Sequence, residues 1–462
     1  MVPGVSRADL VLRSRRVVTP AGLTPADVVV RDGIIAEVAT LGSATASEIV
    51  DVGAAPVLPG GVDTHVHVNE PGRTDWEGFD SATQAAACGG VTTVVDMPLN
   101  SSPPTTTPQA LADKRAAAAG KAHVDVAFWG GAVHGGLDDL GALHAEGVVG
   151  FKAFLCHSGI DEYPPLDRAE VAEGMRRLAA MDALLAVHAE DPDLLGVPDP
   201  SADRRSHDTW VASRPPAAEE AAVAWLGELA AETGCRTHVL HVSAADAADR
   251  LAAAQTAGAP LTGETCPHYL ALCSDELPAG ATAAKCAPPI RDRGNRERLW
   301  ERLADGTLSV VASDHSPCPA ELKHLDDGDV VAAWGGVSSL QIARAVVWTE
   351  ARTRGHGLAD LARWTAHAPA RLVGLEAKGR IAPGCDADLV VFDEDTPWTV
   401  DARALAHRHA VTPYDGAVLS GQATEVRLRG RPVARDGKPV GAPRGRLLAP
   451  GQPATAPREP AS

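Results

Sequence analysis

Over the first fifty residues apolar and polar positions alternate in short runs, "DLVLRSRRVVT", "ADVVVRDGIIAEVA" and "SEIVDVG". That period-2 pattern predicts half-buried strands. The Asp32–Gly33 pair between "VVVR" and "IIAEV" is a hairpin signal, because a type I′ turn needs positive φ at both central positions. After Pro59–Gly60 the texture changes. Short Val-rich runs ("VTTVVDMP", "VDVAFWGGAV", "VVGFKAFL", "LLAVHAE", "THVLHVS", "LSVVASDHSP") alternate with alanine-rich segments of helical periodicity, such as "PQALADKRAAAAGK" and "AAEEAAVAWLGELAAETG". The strand–helix unit recurs about eight times over roughly 310 residues, which predicts an α/β fold of the (β/α)8 TIM-barrel type. A doubly wound sheet is the alternative, but no G-x-G-x-x-G follows the early strands.

Beyond about residue 375 the β texture returns in "GRIAPGCDADLVVFDED" and in the Gly-punctuated hairpin "VRLRGRPVARDGKPV". Neither β-rich arm can bury a face alone, so the two are expected to pair into one small β-sandwich built from both chain ends. The expected organisation is residues 1–57 and 376–448 as the composite sandwich, 58–375 as the catalytic barrel, and 449–462 as a Pro/Ala-rich disordered tail.

Composition narrows the class of function. Hydrophobic residues make up 45% and charged residues 22% of the 462, ordinary for a soluble globular protein. With aromatics at 4%, the core is expected to be aliphatic. A formal charge of −18 argues against nucleic acid or an anionic membrane as partner, since both require a basic surface. No apolar run approaches the ~18 residues of a membrane span, and the start lacks the apolar core of a secretory signal, so a cytoplasmic location is expected. Eight cysteines without a C-x-x-C pair, set among small residues, read as reduced packing thiols.

The chemistry lies among the seventeen histidines. His65 and His67 in "VDTHVHV" project from one face of a strand and could share a cation, or form a half-exposed β pair. Lys152 sits in an otherwise apolar strand, where an ammonium is costly unless paired or chemically altered. His188, His241 and Asp314 each end an apolar β run, the position a barrel active site requires. His238 and His315 are expected to point away from that site, "HRH" at 407–409 to be surface or interface, and "LKHLDDGD" to be a solvated charged loop.

This series of H-x-H, strand lysine, His, His and Asp resembles that of the cyclic amidohydrolases of the amidohydrolase superfamily. The likeness runs from "ADLVLRSRRVVTP" to "KGRIAPGCDADLVVFD". It implies a binuclear centre of two divalent metal ions, zinc first and cobalt or manganese as alternatives, with Lys152 carboxylated by carbon dioxide. His65, His67 and Asp314 would hold one ion and His188 and His241 the other, with Lys152 bridging. A lysine carbamate offers one oxygen to each ion, which a plain amine cannot. Two cations lower the pKa of a bridging water to give hydroxide near neutral pH. Asp314 would take its proton and return it to the leaving amide nitrogen, hydrolysing a cyclic amide.

Finer motifs sort the substrate. Dihydroorotases carry an arginine where this chain has Asn69, and dihydropyrimidinases and hydantoinases a tyrosine where it has His157. "FKAFLCHSGIDEYPP", "DMPLNSSPPTT", "HDTWVASRPPAAEEAAV", "SDHSPCPAELK" and "HRHAVTPYDG" resemble the allantoinase branch. That branch implies opening of the hydantoin ring of allantoin, a neutral small-molecule substrate, to allantoate in a homotetramer. Asn69, Asn100, His157, Ser316 and the backbone at Ala287 are the expected substrate contacts. A hydantoinase-type amidase and a non-catalytic scaffold are the alternatives.

Overall fold

The structure is a computed structural model that describes residues 8–451. Strands from both chain ends form one nine-stranded sheet. Ala8–Thr19 pairs antiparallel with Gly22–Arg31, which turns at Asp32 (φ 52°) and Gly33 (φ 79°) into Ile34–Thr40. Both turn residues have the positive φ that the Asp-Gly signal demanded. Val57–Pro59 stitches the ends together, parallel to Ala8–Thr19 and antiparallel to Leu389–Asp393, beyond which Gln422–Leu428, Arg431–Arg435 and Lys438–Pro439 follow. Leu10, Leu12, Val28, Val30, Ile35, Val57 and Leu389 make its apolar core.

Between the two arms run eight parallel strands, among the described residues: β1 (Gly61–Val66), β2 (Val91–Asp96), β3 (Asp125–Phe128, resumed at Gly130–Gly131), β4 (Phe151–Phe154), β5 (Leu185–His188), β6 (Thr237–Val239), β7 (Leu261–Thr265) and β8 (Val310–Val311). Each pairs in parallel with the next, from β1 to β8. His315, just past β8, then bridges Val66 of β1 in parallel, with His67 N–H donating to His315 O at 2.8 Å. The strands are buried on both faces, which is why they read as continuous apolar runs without alternation.

Helices cover the strands, and local signals set their ends. Arg168–Ala179 opens on a capping box between Asp167 and Glu170, and Pro216–Thr233 stops at Gly234 with φ 71°. Small residues allow close approach: a Cβ on Gly89, at the end of Phe79–Cys88, would lie 2.4 Å from the Gln341 carbonyl. The eight cysteines are all free and buried. No helix among the described residues is long and apolar enough to cross a membrane.

The two regions are joined by buried charge. Lys378 Nζ lies 2.5 Å from Asp125, 2.7 Å from Asp386 and 2.9 Å from Asp388, and Arg429 adds a second cation to Asp125 at 2.5 Å. Residues 445–448 fill the free edge of β3: Val126 N–H donates to Arg446 O and Leu448 N–H to Val126 O, each at 2.8 Å. Of the expected disordered tail, 449–462, residues 449–451 are described, with Gly451 N–H donating to Gly374 O at 3.3 Å, and 452–462 lie outside the described residues. Two expectations fail. His407 is buried rather than at the surface, its Nε2 accepting from Gln341 N–H at 3.2 Å. Lys323 of "LKHLDDGD" is 1% exposed, so that loop is not solvated throughout.

Candidate active site

His65 and His188 lie at the C-terminal ends of β1 and β5, His67, His241 and Asp314 just past β1, β6 and β8, and Lys152 within β4, and all six meet in one place. Their orientations are set from behind. The Nδ1–H of His65 donates to Glu264 Oε1 on β7 at 2.6 Å, which turns its Nε2 toward Asp314 Oδ1 (3.1 Å) and Lys152 Nζ (3.3 Å). His67 Nε2 lies 3.5 Å from the same Asp314 oxygen. Across the site, His188 Nε2–H donates to Glu190 Oε2 at 2.7 Å, leaving its Nδ1 facing His241 Nε2 at 3.0 Å. Glu190 is gripped through both oxygens by Arg214, at 3.0 and 2.6 Å. Lys152 and Phe154 project from one face of β4: Phe154 stacks on His188 at 4.7 Å, and the lysine Nζ sits 4.8 Å above the Phe154 ring.

Burial governs the charges. It pulls the Lys152 ammonium down to about 8, against the carboxylates of Asp314 and Glu264, and the His67 imidazolium down to about 4. Burial also opposes the Glu264 carboxylate, but His65 and His238 outweigh it and hold the group at about 2. Asp314 is held well below the usual carboxylate range by His65, His67 and His241, again against burial. The result is ionised carboxylates beside His67 and His241, which burial keeps from protonating so that each has a lone pair to offer a divalent metal, while Cys156 and Glu190 raise His188 to about 9 against burial. His65, His67 and Asp314 offer ligand atoms that all lie within 4.8 Å of one another. Cys156, His188 and Glu190 converge similarly, but Arg214 already occupies Glu190. His–carboxylate pairs of the kind made by Glu264 and Glu190 are the usual support for metal-bound imidazoles. The residues therefore fit a metal centre.

Asn69 (φ 66°), Asn100 (φ 41°), His241 (φ 38°) and Asp314 (φ 45°) all adopt left-handed backbone. For His241 that conformation is strained, and it re-aims the side chain at the end of its strand. The floor so built opens into a cavity of about 250 Å³. Asn100, His157, Ala287 and Ser316 line it, as do Trp210 and Trp334. His157 is largely exposed and pairs with Asp161 at 3.3 Å. Asn69 does not line the cavity; it is fully buried and donates from Nδ2 to Pro317 O at 3.3 Å. His238 lies behind the floor, between Thr262 (2.8 Å) and Glu264 (3.2 Å). His315 faces Glu77 at 3.3 Å and packs on His407.

Sequence reasoning passed over Glu264, Glu190, Arg214 and Lys285. The first two carried a usable signal: Glu264 is an acid inside the strand "LTGET", and Glu190 stands two places after His188 in "VHAED". Arg214 and Lys285 lie outside the strands, where periodicity says nothing.

Residues 57–423 match the amidohydrolase family. The chain belongs to that family. It is 50% identical over 446 residues to an allantoinase of Streptomyces avermitilis, covering 96% of this chain and 99% of that protein. An allantoinase of Arabidopsis thaliana is 40% identical, covering 92% of this chain and 88% of that one. The fold is similar to that of an L-hydantoinase (dihydropyrimidinase) from Arthrobacter aurescens, with TM-score 0.89 and 32% identity over 96% of this chain and 100% of that one.

Proposed function

We propose that this chain is an enzyme that hydrolyses allantoin to allantoate. The observation that carries it is the convergence of His67, Lys152, His188, His241 and Asp314 on one small cavity, with His65 beneath them against Lys152 and Asp314, in a chain half-identical to an allantoinase. The architecture of this reading is a (β/α)8 barrel at 58–375 with a β-sandwich from 1–57 and 376–448. The succession of parallel pairings that returns from His315 to Val66 supports the barrel, and the shared terminal sheet supports the second domain.

Two divalent ions, zinc in this proposal, would be held by His65, His67 and Asp314 and by His188 and His241, with carboxylated Lys152 between them. When bound, they would supply an acidified water and polarisation of the ring carbonyl. The chain's own groups do the rest. A buried Lys152 amine, easily deprotonated, can add carbon dioxide through Nζ and lose a proton to become the carbamate. Asp314 moves the proton of the reaction: ionised at rest, it takes a proton from the attacking water and returns it to the amide nitrogen as the C–N bond breaks. Asn100, Ser316, His157 and the Ala287 backbone offer hydrogen bonds to a neutral, ureido-rich ring. Asn69 supports that wall from behind by holding Pro317 beside Ser316.

The test is allantoate formation by zinc-loaded protein with bicarbonate, alongside Lys152→Ala. Turnover by the former and none by the latter is expected. Opening of 5-substituted hydantoins without any allantoin turnover would move the reading to a hydantoinase, which the likeness to the Arthrobacter enzyme favours as second choice. The homotetramer belongs to the same proposal and is read by light scattering on the eluting protein.

A further inference from the structure

One wall of the cavity is the irregular segment 331–336, "VAAWGG", of which Ala332 to Gly336 line the pocket. Two buried lysines reach under it from different parts of the chain. Lys285 Nζ donates to Val331 O at 2.8 Å and Ala333 O at 2.6 Å. Lys323 Nζ donates to Trp334 O at 2.9 Å and to Gly336 O. Backbone bonds repeat the ties: Gly336 N–H to Lys285 O and Trp334 N–H to Leu322 O, both 2.7 Å. Lys285 is also adjacent to Cys286 and Ala287 on the neighbouring wall, and its Nζ sits 4.1 Å over the Trp210 ring. At the outer edge Trp334 meets Trp76 edge-on at 5.0 Å.

Neither lysine forms an ion pair among the described residues. Burying two ammonium groups near each other without a carboxylate is expensive. Apolar side chains would fill that space at lower cost, but they could not bind four carbonyls. The carbonyls are what the cations are there to hold. With them taken, the Gly335 N–H on the cavity wall has no hydrogen-bond partner among the described residues, and the clamp decides where it and the Trp334 indole stand.

We infer that Lys285 and Lys323 form a two-cation clamp that holds the 331–336 wall in its substrate-receiving shape, which makes them positioning residues for binding a small neutral polar ring. This rests on the allantoin reading for the identity of that ring. A misplacement of about 1 Å in such a wall weakens a reaction about 10- to 100-fold, and here the loss falls on binding, because the metal floor is built from other strands.

The experiment uses zinc-loaded Lys285→Met, Lys323→Met and Lys285→Arg. In both Met variants KM for allantoin should rise about 10-fold or more, with kcat and zinc content near wild type, and Arg at 285 should recover most of the loss. An unchanged KM in both Met variants overturns the clamp, as does parallel loss of kcat and zinc. Hydrogen exchange on the unmutated holoenzyme covers variants that fail to fold. Slow exchange at Trp334 and Gly336 without substrate is expected, and exchange as fast as in an open loop overturns it. That measurement needs no turnover, so failure of the allantoin reading would leave it intact.

Discussion

Glu264→Gln probes the support beneath His65. The native carboxylate takes a 2.6 Å bond from His65 Nδ1–H and lies 3.2 Å from His238 Nε2, with both groups buried. Glutamine keeps the shape but has one acceptor oxygen and an NH2 that cannot accept, so one imidazole loses its partner. A charge-assisted bond of this kind is worth about 1.5–3 kcal/mol. Loss of such a support typically weakens metal affinity about 10- to 100-fold, or about 1.4–2.8 kcal/mol. The assay is titration of metal-free wild type and variant with chelator-buffered zinc, followed by metal analysis. Equal zinc affinity in the two proteins would refute the reasoning. The same carboxylate makes a pH prediction. Its folded pKa, about 2, lies below the ordinary 4.5, so its stabilisation is fully present above about pH 4.5 and disappears as pH falls toward 2. That shift corresponds to about 3 kcal/mol, and wild type should lose this stability on acidification in urea melts while Glu264→Gln loses correspondingly less.

Asp314→Asn should lower kcat by about 10²- to 10⁴-fold; near-normal turnover of purified variant would sink its proton-moving role. Lys378→Met removes the cation shared by three buried carboxylates, leaving only Asp125 with its Arg429 partner, and should cost about 3–5 kcal/mol, read as a lower thermal midpoint or loss of soluble protein; an unchanged midpoint contradicts it. His157→Ala removes an exposed side chain at the cavity rim, so kcat should stay within about threefold, and a larger fall in kcat would place this histidine in the chemistry.

The residues at strand ends were readable because burial on both faces turns each strand into an apolar run, against which a lone His, Lys or Asp stands out. Lys152 is the clearest case, and Glu264 obeys the same logic. The terminal sheet was readable from its turns, with Asp32–Gly33 at the positive φ values the pair requires. His407 was misread because its burial comes from packing on His315, nearly a hundred residues earlier in the chain, and no local pattern records that. Lys323 failed for the same reason: three aspartates beside it, Asp326, Asp327 and Asp329, mark a solvated loop, while its own ammonium turns inward to carbonyls of the segment that follows.

By itself the sequence determined the strand–helix alternation, the pairing of both ends into one small sheet, and which residue types sit at the mouths of the strands. These are consequences of periodicity and turn chemistry, which act over a few residues. Tertiary structure alone decided that Glu264 and Glu190 orient the histidines, that Asn69 stands behind the wall, and that two lysines hold the wall in place. Those facts depend on hydrogen bonds between side chains brought together from distant strands and loops, and their geometry exists only once the chain has closed around them.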